Sequence, residues 1–202
     1  MKKRLRKWAA LLATIAAGCA VAAVAQKAEP APPQLPPTVP MFSAADLAAK
    51  VPAAKADDVK SLEAILRAIY DVISGPAGPR DWNRFRSLCL PQARFTEVGK
   101  GPDGAGFVIS WGVDEFIRDA GEVFSKEAFY EHAIVNHPQS YGNMTQVFSS
   151  YESRHAPEGK PFERGINSIQ VLNDGKRWWV VSIFWDSERA DNPLPAKFAG
   201  KR

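Results

Sequence analysis

The chain has 202 residues, of which 26 are basic and 22 acidic, and its formal net charge is +4. Five of the basic residues and none of the acidic ones fall within positions 1–25, so the remainder carries 21 basic and 22 acidic residues and is close to neutral. Binding to a nucleic-acid backbone depends on clustered Lys and Arg side chains, and the sequence after residue 25 contains no such cluster. We therefore expect no nucleic-acid partner.

The first 25 residues have the features of an export signal. A basic start from Lys2 to Lys7 precedes an apolar stretch, and Ala23-Val24-Ala25 matches the small-residue pattern of a cleavage site. We predict a signal peptide over residues 1–25 and a periplasmic or secreted protein, most simply in the periplasm of a Gram-negative bacterium. An uncleaved anchor is the alternative, although the apolar stretch is slightly short for a spanning helix, which needs about 20 apolar residues.

The two cysteines leave a further alternative open. Ala16-Ala17-Gly18-Cys19 resembles the box in which a bacterial lipoprotein is acylated on its cysteine, but Ala16 stands where leucine is usual. Contact with a membrane is expected only if Cys19 carries this lipid or if the signal is retained. If Cys19 leaves with the signal, Cys89 is the remaining thiol and no disulfide forms within the chain. Cys89 is then predicted to be a buried apolar residue.

The rest of the chain divides into three segments by composition. Residues 26–55 are rich in proline and alanine and are predicted to form a semi-extended linker. A single domain is predicted over residues 56–188, and an irregular tail over residues 189–202. The domain is long enough to bury a hydrophobic core.

Helices and strands follow one another in a clear order. Asp57 is predicted to cap a helix, because apolar residues then recur every three or four positions until Gly75-Pro76. A shorter helix is predicted from Asp81 to the residue before Pro91. Two short strands, a third helix and four long strands are predicted at about residues 93–98, 107–111, 113–124, 128–136, 143–154, 163–172 and 177–186. Helices that precede consecutive strands favour an antiparallel sheet covered on one face by helices.

This order of elements resembles the nuclear transport factor 2-like (NTF2-like) superfamily, also called SnoaL-like or ketosteroid isomerase-like. The resemblance covers residues 56–188, and it is strongest at residues 81–93, before a strand, and at residues 174–181, which are similar to the family's last hairpin and Trp-containing strand. It implies an α+β fold in which a curved antiparallel sheet wraps around three N-terminal helices, the cystatin-like or NTF2-like cone. A conical pocket inside the sheet is expected. Such a resemblance says little about function.

The last predicted strand is apolar on both faces. Trp178, Val180 and Phe184 alternate with Trp179, Val181, Ile183 and Trp185, whereas a solvated antiparallel strand alternates with polar residues. One face can pack on the helices, and the other needs a second subunit or a covering segment. The resemblance implies a dimer built on the outer face of the sheet, and we predict a homodimer.

The pocket candidates depend on which face of the last strand is concave. We assign Trp178, Val180, Ser182 and Phe184 to that face, following the family's Trp-containing strand. The predicted ligand-binding residues are then Ser149, Tyr151, Ser168, Gln170, Trp178 and Ser182. Hydroxyl groups on an aromatic wall suit the orientation of a small apolar ligand. The alternative is that these groups satisfy one another or backbone groups inside the core.

Proton-transfer chemistry is a second possibility. Members of the superfamily that resemble ketosteroid isomerase use a pocket carboxylate as base and a tyrosine or protonated acid as oxyanion donor. The candidates here are Glu131, Glu97 or Asp71 as base and Tyr151 as donor, and no spacing singles out one pair.

Two other motifs are not predicted to carry chemistry. Residues 99–106 contain G-x-G-x-x-G, but a β-type run follows and Pro102 removes an amide donor, so a hairpin loop is predicted rather than a dinucleotide site. The odd spacing of His132 and His137 places them on opposite faces of a strand, so no metal site is predicted. No cofactor is expected.

Three functions remain open at this stage. The leading hypothesis is a non-catalytic exported protein that binds a small, largely apolar molecule or a protein partner in or on the cone. The alternative is an isomerase, dehydratase or cyclase that transfers a proton inside the pocket. The third is an interaction module whose pocket is filled. A carboxylate that faces an enclosed cavity, with Tyr151 on the same wall, distinguishes the enzyme.

Overall fold

The computed structural model describes residues 42–200. The predicted signal peptide, the Cys19 alternative and the first part of the predicted linker lie outside the described residues. The helices are α1 (Ala44–Ala48), α2 (Ala56–Val59), α3 (Leu62–Ile73), α4 (Trp82–Leu88) and α5 (Val113–Lys126), with a 3-10 helix at Ala196–Phe198. The strands are β1 (Cys89–Lys100), β2 (Gly106–Trp111), β3 (Tyr130–Tyr141), β4 (Met144–Arg154), β5 (Glu163–Asn173) and β6 (Trp178–Ser187).

The six strands form one sheet in the order β2-β1-β6-β5-β4-β3. Neighbouring strands are antiparallel except β1 and β6, which run parallel. Three successive antiparallel pairs, β3–β4, β4–β5 and β5–β6, bring the chain back beside β1. Register shifts interrupt β1, β3 and the β5–β6 pair, and such bulges bend a sheet. The α+β class predicted from the sequence, with a curved sheet around helices, is confirmed.

Helix α3 crosses the inner face of the sheet. Ser61 caps it by accepting a hydrogen bond from the Ala64 N–H at 3.1 Å, and this cap separates α3 from α2 where the sequence predicts one continuous helix. The apolar stripe of α3 is buried against the sheet, and side chains at the centre of this contact are almost inaccessible: Ile65, Leu88, Val147 and Ile169. The apolar periodicity of the sequence therefore locates the core correctly.

Aromatic rings on three elements form the side of the core nearest α5. Phe85 on α4, Phe95 on β1 and Phe116 on α5 lie with ring centroids 4.8 to 5.3 Å apart. Cys89 at the start of β1 is a buried free cysteine, as predicted, and burial raises the pKa of its thiol above the usual range. It is therefore a packing residue rather than a nucleophile.

Arg84 joins three helices through charge-assisted hydrogen bonds. Its guanidinium donates to both carboxylate oxygens of Asp58 at 2.8 and 2.9 Å and to Asp71 at 2.5 Å. The side chains of Arg84 and Asp58 are mostly buried, and the bond to Arg84 lowers the pKa of Asp58. The interaction stabilises the packing of α2 and α3 against α4.

Replacing Arg84 with Ala is expected to lower the free energy of unfolding by about 1.5–3 kcal/mol, the range for hydrogen bonds to charged groups. Arg86→Ala is the control, because Arg86 pairs with the largely exposed Asp114 and a loss below about 1 kcal/mol is expected. Because the folded-state pKa of Asp58 is lowered, its stabilisation disappears as the pH falls through that pKa. Urea denaturation of both variants at neutral and acid pH tests this, and equal losses at neutral pH would contradict it.

Two segments are more ordered than the sequence predicts. Within the predicted extended linker, Ser43 and Asp46 form a reciprocal capping box that starts α1. In the predicted irregular tail, Phe198 is buried and its ring lies 6.1 Å from that of Phe148 and 4.9 Å from that of His137. The tail therefore covers part of the outer face of the sheet. Between residues 42 and 200, no helix has both the length and the apolar character needed to cross a membrane.

Candidate functional site

A cavity of about 220 Å³ lies between the helices and the inner face of the sheet. Six aromatic side chains other than tyrosine line it: Phe85, Phe95, Phe116, Phe124, Phe129 and Trp185. Pockets for drug-sized ligands measure roughly 300–1,000 Å³, so this cavity suits a smaller molecule, about one ring in size. Three glutamates and two tyrosines also line it, namely Glu97, Glu131, Glu163, Tyr70 and Tyr151.

Glu131 enters the cavity from the start of β3. Its backbone is fixed to the end of α3 by Ser74. The Ser74 Oγ atom accepts a hydrogen bond from the Glu131 N–H at 2.9 Å and donates one to the Glu131 carbonyl oxygen at 3.2 Å. The carboxyl group is buried and accepts a hydrogen bond from Ser153 Oγ at 2.9 Å. Burial raises the pKa of Glu131 to about 7, and the negative charge of Glu163 acts in the same direction. Near neutral pH, both protonation states are therefore populated.

Glu163 at the start of β5 has a different environment. Its Oε1 atom accepts hydrogen bonds from Tyr151 Oη at 2.8 Å and from Ser187 Oγ at 2.7 Å. Burial and the nearby charge of Glu163 raise the pKa of Tyr151, which stays protonated. Tyr151 and Ser187 thus hold the Glu163 carboxyl group in one orientation at the cavity wall.

Glu97 on β1 is the third carboxyl group. Partial burial raises its pKa, and the charges of Glu163 and Asp186 add to this effect. In the described part of the chain, its carboxyl group has neither a hydrogen-bond donor nor an ion-pair partner. The residues that line the cavity include no Lys, Arg or His.

Tyr70 on α3 closes the opposite wall. Its hydroxyl lies 2.6 Å from Ser149 Oγ and accepts a hydrogen bond from Asn167 Nδ2 at 3.2 Å. Burial raises the pKa of Tyr70 above its usual range, so the phenol is neutral. Tyr70 and Glu131 also line a separate groove between α3 and β3, and they therefore form the partition between this groove and the cavity.

The structure brings some of the predicted pocket residues to this site. Tyr151 lines the cavity as predicted. Ser149 points to the inner side but contacts Tyr70 behind the cavity wall. Trp178 packs against the core at the far end of β6 and does not line the cavity.

The other three candidates, Ser168, Gln170 and Ser182, lie on the outer face, so their assignment to the pocket is wrong. In β5, Asn167 and Ile169 face inward, so Ser168 and Gln170 face outward. In β6, Gln170 pairs with Ser182 while Val171 pairs with Val180, so Val181 is an extra residue. This bulge reverses the faces, and Ile183 and Trp185 point into the cone.

Of the three candidate bases predicted from sequence, two line the cavity and one does not. Glu131 and Glu97 line the cavity together with Tyr151, whereas Asp71 lies outside it, bound to Arg84. Tyr151 donates its proton to Glu163, so its hydroxyl is not directed at a ligand as an oxyanion donor. Glu163 is the cavity carboxyl group missed from sequence, because no local pattern places the start of β5 beside Glu97 and Glu131.

The glycine-rich loop forms the turn of the β1–β2 hairpin, as predicted, and Lys100 pairs with Gly106. His132 and His137 lie on the same outer face, contrary to the spacing argument, because a bulge at Ile134 adds a residue between them. Over residues 42–200, no group of three potential ligands that could hold a metal ion is found.

The outer face of the sheet is partly covered by the tail. Phe148, Ile166 and Phe184 line a depression against Leu194 and its neighbouring prolines. Phe184 nevertheless stays 48% exposed. The homodimer through this face remains a prediction.

Comparisons with known proteins concern the fold. No protein-family model matches the chain, and a search of curated proteins gives no match. An NTF2-like protein of unknown function from Silicibacter pomeroyi is 15% identical, with a TM-score of 0.45 over 64% of this chain and 94% of that one. A proposed ketosteroid isomerase from Parabacteroides distasonis is 12% identical, with a TM-score of 0.43 over 63% and 88%.

An uncharacterised protein with a cystatin-like fold from Caulobacter vibrioides is 9% identical, with a TM-score of 0.47 over 65% of this chain and 90% of that one. These descriptions name the same fold that the sequence resembles. At such identities and scores they do not bear on what this chain does.

Proposed function

We propose that the protein is a proton-transfer enzyme that acts on a small, largely apolar molecule inside the cone. The observation that carries this proposal is Glu131, a buried carboxyl group with a pKa near 7 that faces a cavity of ligand size. A general base or acid works best when its pKa lies near the working pH. A carboxyl group with no chemical role rarely occupies such an apolar site, because burial of its charge costs free energy.

The two neighbouring carboxyl groups support different roles. Tyr151 and Ser187 hold the Glu163 carboxyl group by hydrogen bonds, whereas burial raises the pKa of Glu131. A carboxyl group whose pKa is shifted toward neutrality beside a second carboxyl group is typical of acid–base sites. Glu131 is therefore the proposed catalytic residue, and Glu163 the anion that tunes it.

The proposed chemistry uses Glu131 twice. Its carboxylate takes a proton from a C–H group of the substrate, the electron pair of that bond moves into an adjacent unsaturated group, and the carboxylic acid returns the proton at another atom. No electrons are gained or lost overall. Ser153 fixes the orientation of the carboxyl group, and the aromatic walls exclude water. The reaction class is that of an isomerase or, with loss of water, a dehydratase. Export remains a prediction from residues 1–25.

Solvent exchange tests the proposal without a known substrate. The purified protein is incubated in D₂O with one-ring cyclic enones and ketones, with and without an amino substituent, and deuterium uptake is followed by NMR. We expect wild-type protein to accelerate uptake, with a rate that rises as the pH passes through about 7. Glu131→Gln should slow this uptake by about 100-fold, whereas Glu158→Gln, on an exposed loop, should not change it. Equal rates for wild type and Glu131→Gln across the panel would contradict the proposal.

A further inference from the structure

The polar groups of the cavity are hydrogen-bond acceptors with few donors to match them. Three of the side-chain donors at its wall are already engaged: Tyr151 donates to Glu163, Ser153 to Glu131, and Asn167 to Tyr70. The indole N–H of Trp185 is a further donor in the lining. Carboxyl oxygens outnumber these donors, and an anionic ligand finds no cationic side chain in the lining to pair with.

The charges point in the same direction. The three glutamates contribute negative charge to one cavity whose lining contains no basic side chain. The pKa values of Glu97 and Glu131 are raised by burial and by neighbouring carboxylates, and no cation offsets this effect for either group. Glu97 also lacks a partner within the described chain. A positive group bound between Glu97 and Glu163 would relieve this repulsion.

The aromatic wall of the cavity also suits a cationic ligand. Aromatic faces attract cations through the negative charge density of their rings, and this attraction grows when the cation is desolvated. Phe95 lies two residues before Glu97 on β1, and Trp185 on β6 pairs with Glu97, so a cation near that carboxyl group also lies near aromatic rings. The small volume admits a single ring with a short substituent.

We propose that the cavity recognises a small protonated amine with an apolar body, whose N–H groups donate to Glu97 and Glu163. The inference rests on the proposed function in so far as it places the substrate in the same cavity, with Glu131 beside it. A neutral alcohol of the same size can satisfy one acceptor but leaves the charges uncompensated. A carboxylate of the same size is repelled.

Three matched probes test this inference by equilibrium binding to the purified protein: benzylamine, benzyl alcohol and benzoate. Calorimetry or NMR titration near pH 7.5 should show benzylamine binding at least about tenfold more tightly than benzyl alcohol, and no binding of benzoate. Glu163→Gln and Glu97→Gln should each remove this preference, while Glu158→Gln keeps it. Glu97→Gln matters because Glu97 has no hydrogen bond or ion pair within the described residues to lose and glutamine is similar in size, so a folding defect is not expected.

The outcomes separate the two proposals. Equal binding of benzylamine and benzyl alcohol, or a preference that survives Glu97→Gln and Glu163→Gln, would overturn the amine inference. Deuterium uptake into neutral ketones would still support the proton-transfer function in that case. Conversely, selective binding of benzylamine by both wild type and Glu131→Gln, together with no exchange activity in the wild-type protein, would support the amine site and overturn the catalytic role of Glu131.

Discussion

Replacing Glu131 with Gln is expected to increase the free energy of unfolding near pH 8, on the order of 3 kcal/mol relative to wild type. The folded-state pKa of Glu131 is about 7, against an ordinary value of 4.5, and a tenfold change in an acid dissociation constant corresponds to about 1.4 kcal/mol. Above pH 7 the wild-type protein buries an ionised carboxylate beside Glu163, whereas glutamine is neutral and similar in size. The catalytic residue is thus predicted to be a source of instability.

The pH dependence gives this prediction its direction. Because the folded-state pKa is raised, the stability that the protonated Glu131 contributes is present below about pH 4.5 and is lost as the pH rises through about 7. Wild type and Glu131→Gln should therefore be similar at pH 4 and diverge between pH 5 and 8. Urea denaturation across this range measures the difference, and Glu158→Gln is the control for a glutamate in solvent. A constant difference at all pH values would contradict the assigned pKa.

This expected gain in stability also distinguishes a functional residue from one that only maintains the fold. A residue that only maintained the fold would lower stability when replaced, whereas active-site groups are commonly kept in spite of a cost in stability. Loss of exchange activity together with a gain in stability would identify Glu131 as a functional residue. Ser153→Ala should instead lower the free energy of unfolding, because it removes a hydrogen-bond donor from a buried carboxyl group.

Much of the fold could be predicted from the sequence because it depends on periodicity. The stripe from Val59 to Ile73 repeats at helical spacing, and its buried face is the predicted one. Long strands with turn residues between them are predicted near their observed positions. These features depend on which residues are apolar, and not on the side to which any single residue points.

The site depends on side-chain direction, and this is where the predictions from sequence are wrong. A strand alternates sides at every residue, so one inserted residue exchanges the two faces. Bulges at Val181 and Ile134 do so in β6 and β3, and neither has a glycine or proline to indicate it. The outer face carries apolar residues as well, because Phe148 and Ile166 are covered there by the tail. Hydrophobicity alone therefore does not distinguish the inner side from the outer.

The convergence of the three glutamates is equally invisible in sequence. Glu97, Glu131 and Glu163 lie more than 30 positions apart in the chain and on three different strands. Only the strand order brings β1 and β3 around the same cavity from opposite ends of the sheet. Glu97 and Glu131 could be proposed as candidate bases from sequence, but the third carboxyl group that tunes them required the structure.

Gly165 in β5 is expected to be the position where the smallest change disturbs the site most. A Cβ atom added there would lie 2.5 Å from the carbonyl oxygen of Asp186 and 2.7 Å from Tyr151 Oη. The first contact is with backbone and cannot be relieved by a side-chain rotation. We expect Gly165→Ala to lower the free energy of unfolding by about 3 kcal/mol, at the upper end of the range for overpacked interiors.

The same substitution should also affect the chemistry, because Tyr151 has to move to make room. Its hydrogen bond to Glu163 would then lengthen, and one of the two donors that hold the Glu163 carboxyl group in place would be lost. Gly106→Ala in β2 is the matched control, since its added Cβ would meet no atom closer than 4.0 Å. Thermal denaturation and benzylamine binding measure the two effects. If Gly165→Ala were as stable as Gly106→Ala and bound the amine normally, the close packing of Tyr151 on β5 could not be what positions Glu163 in the cavity.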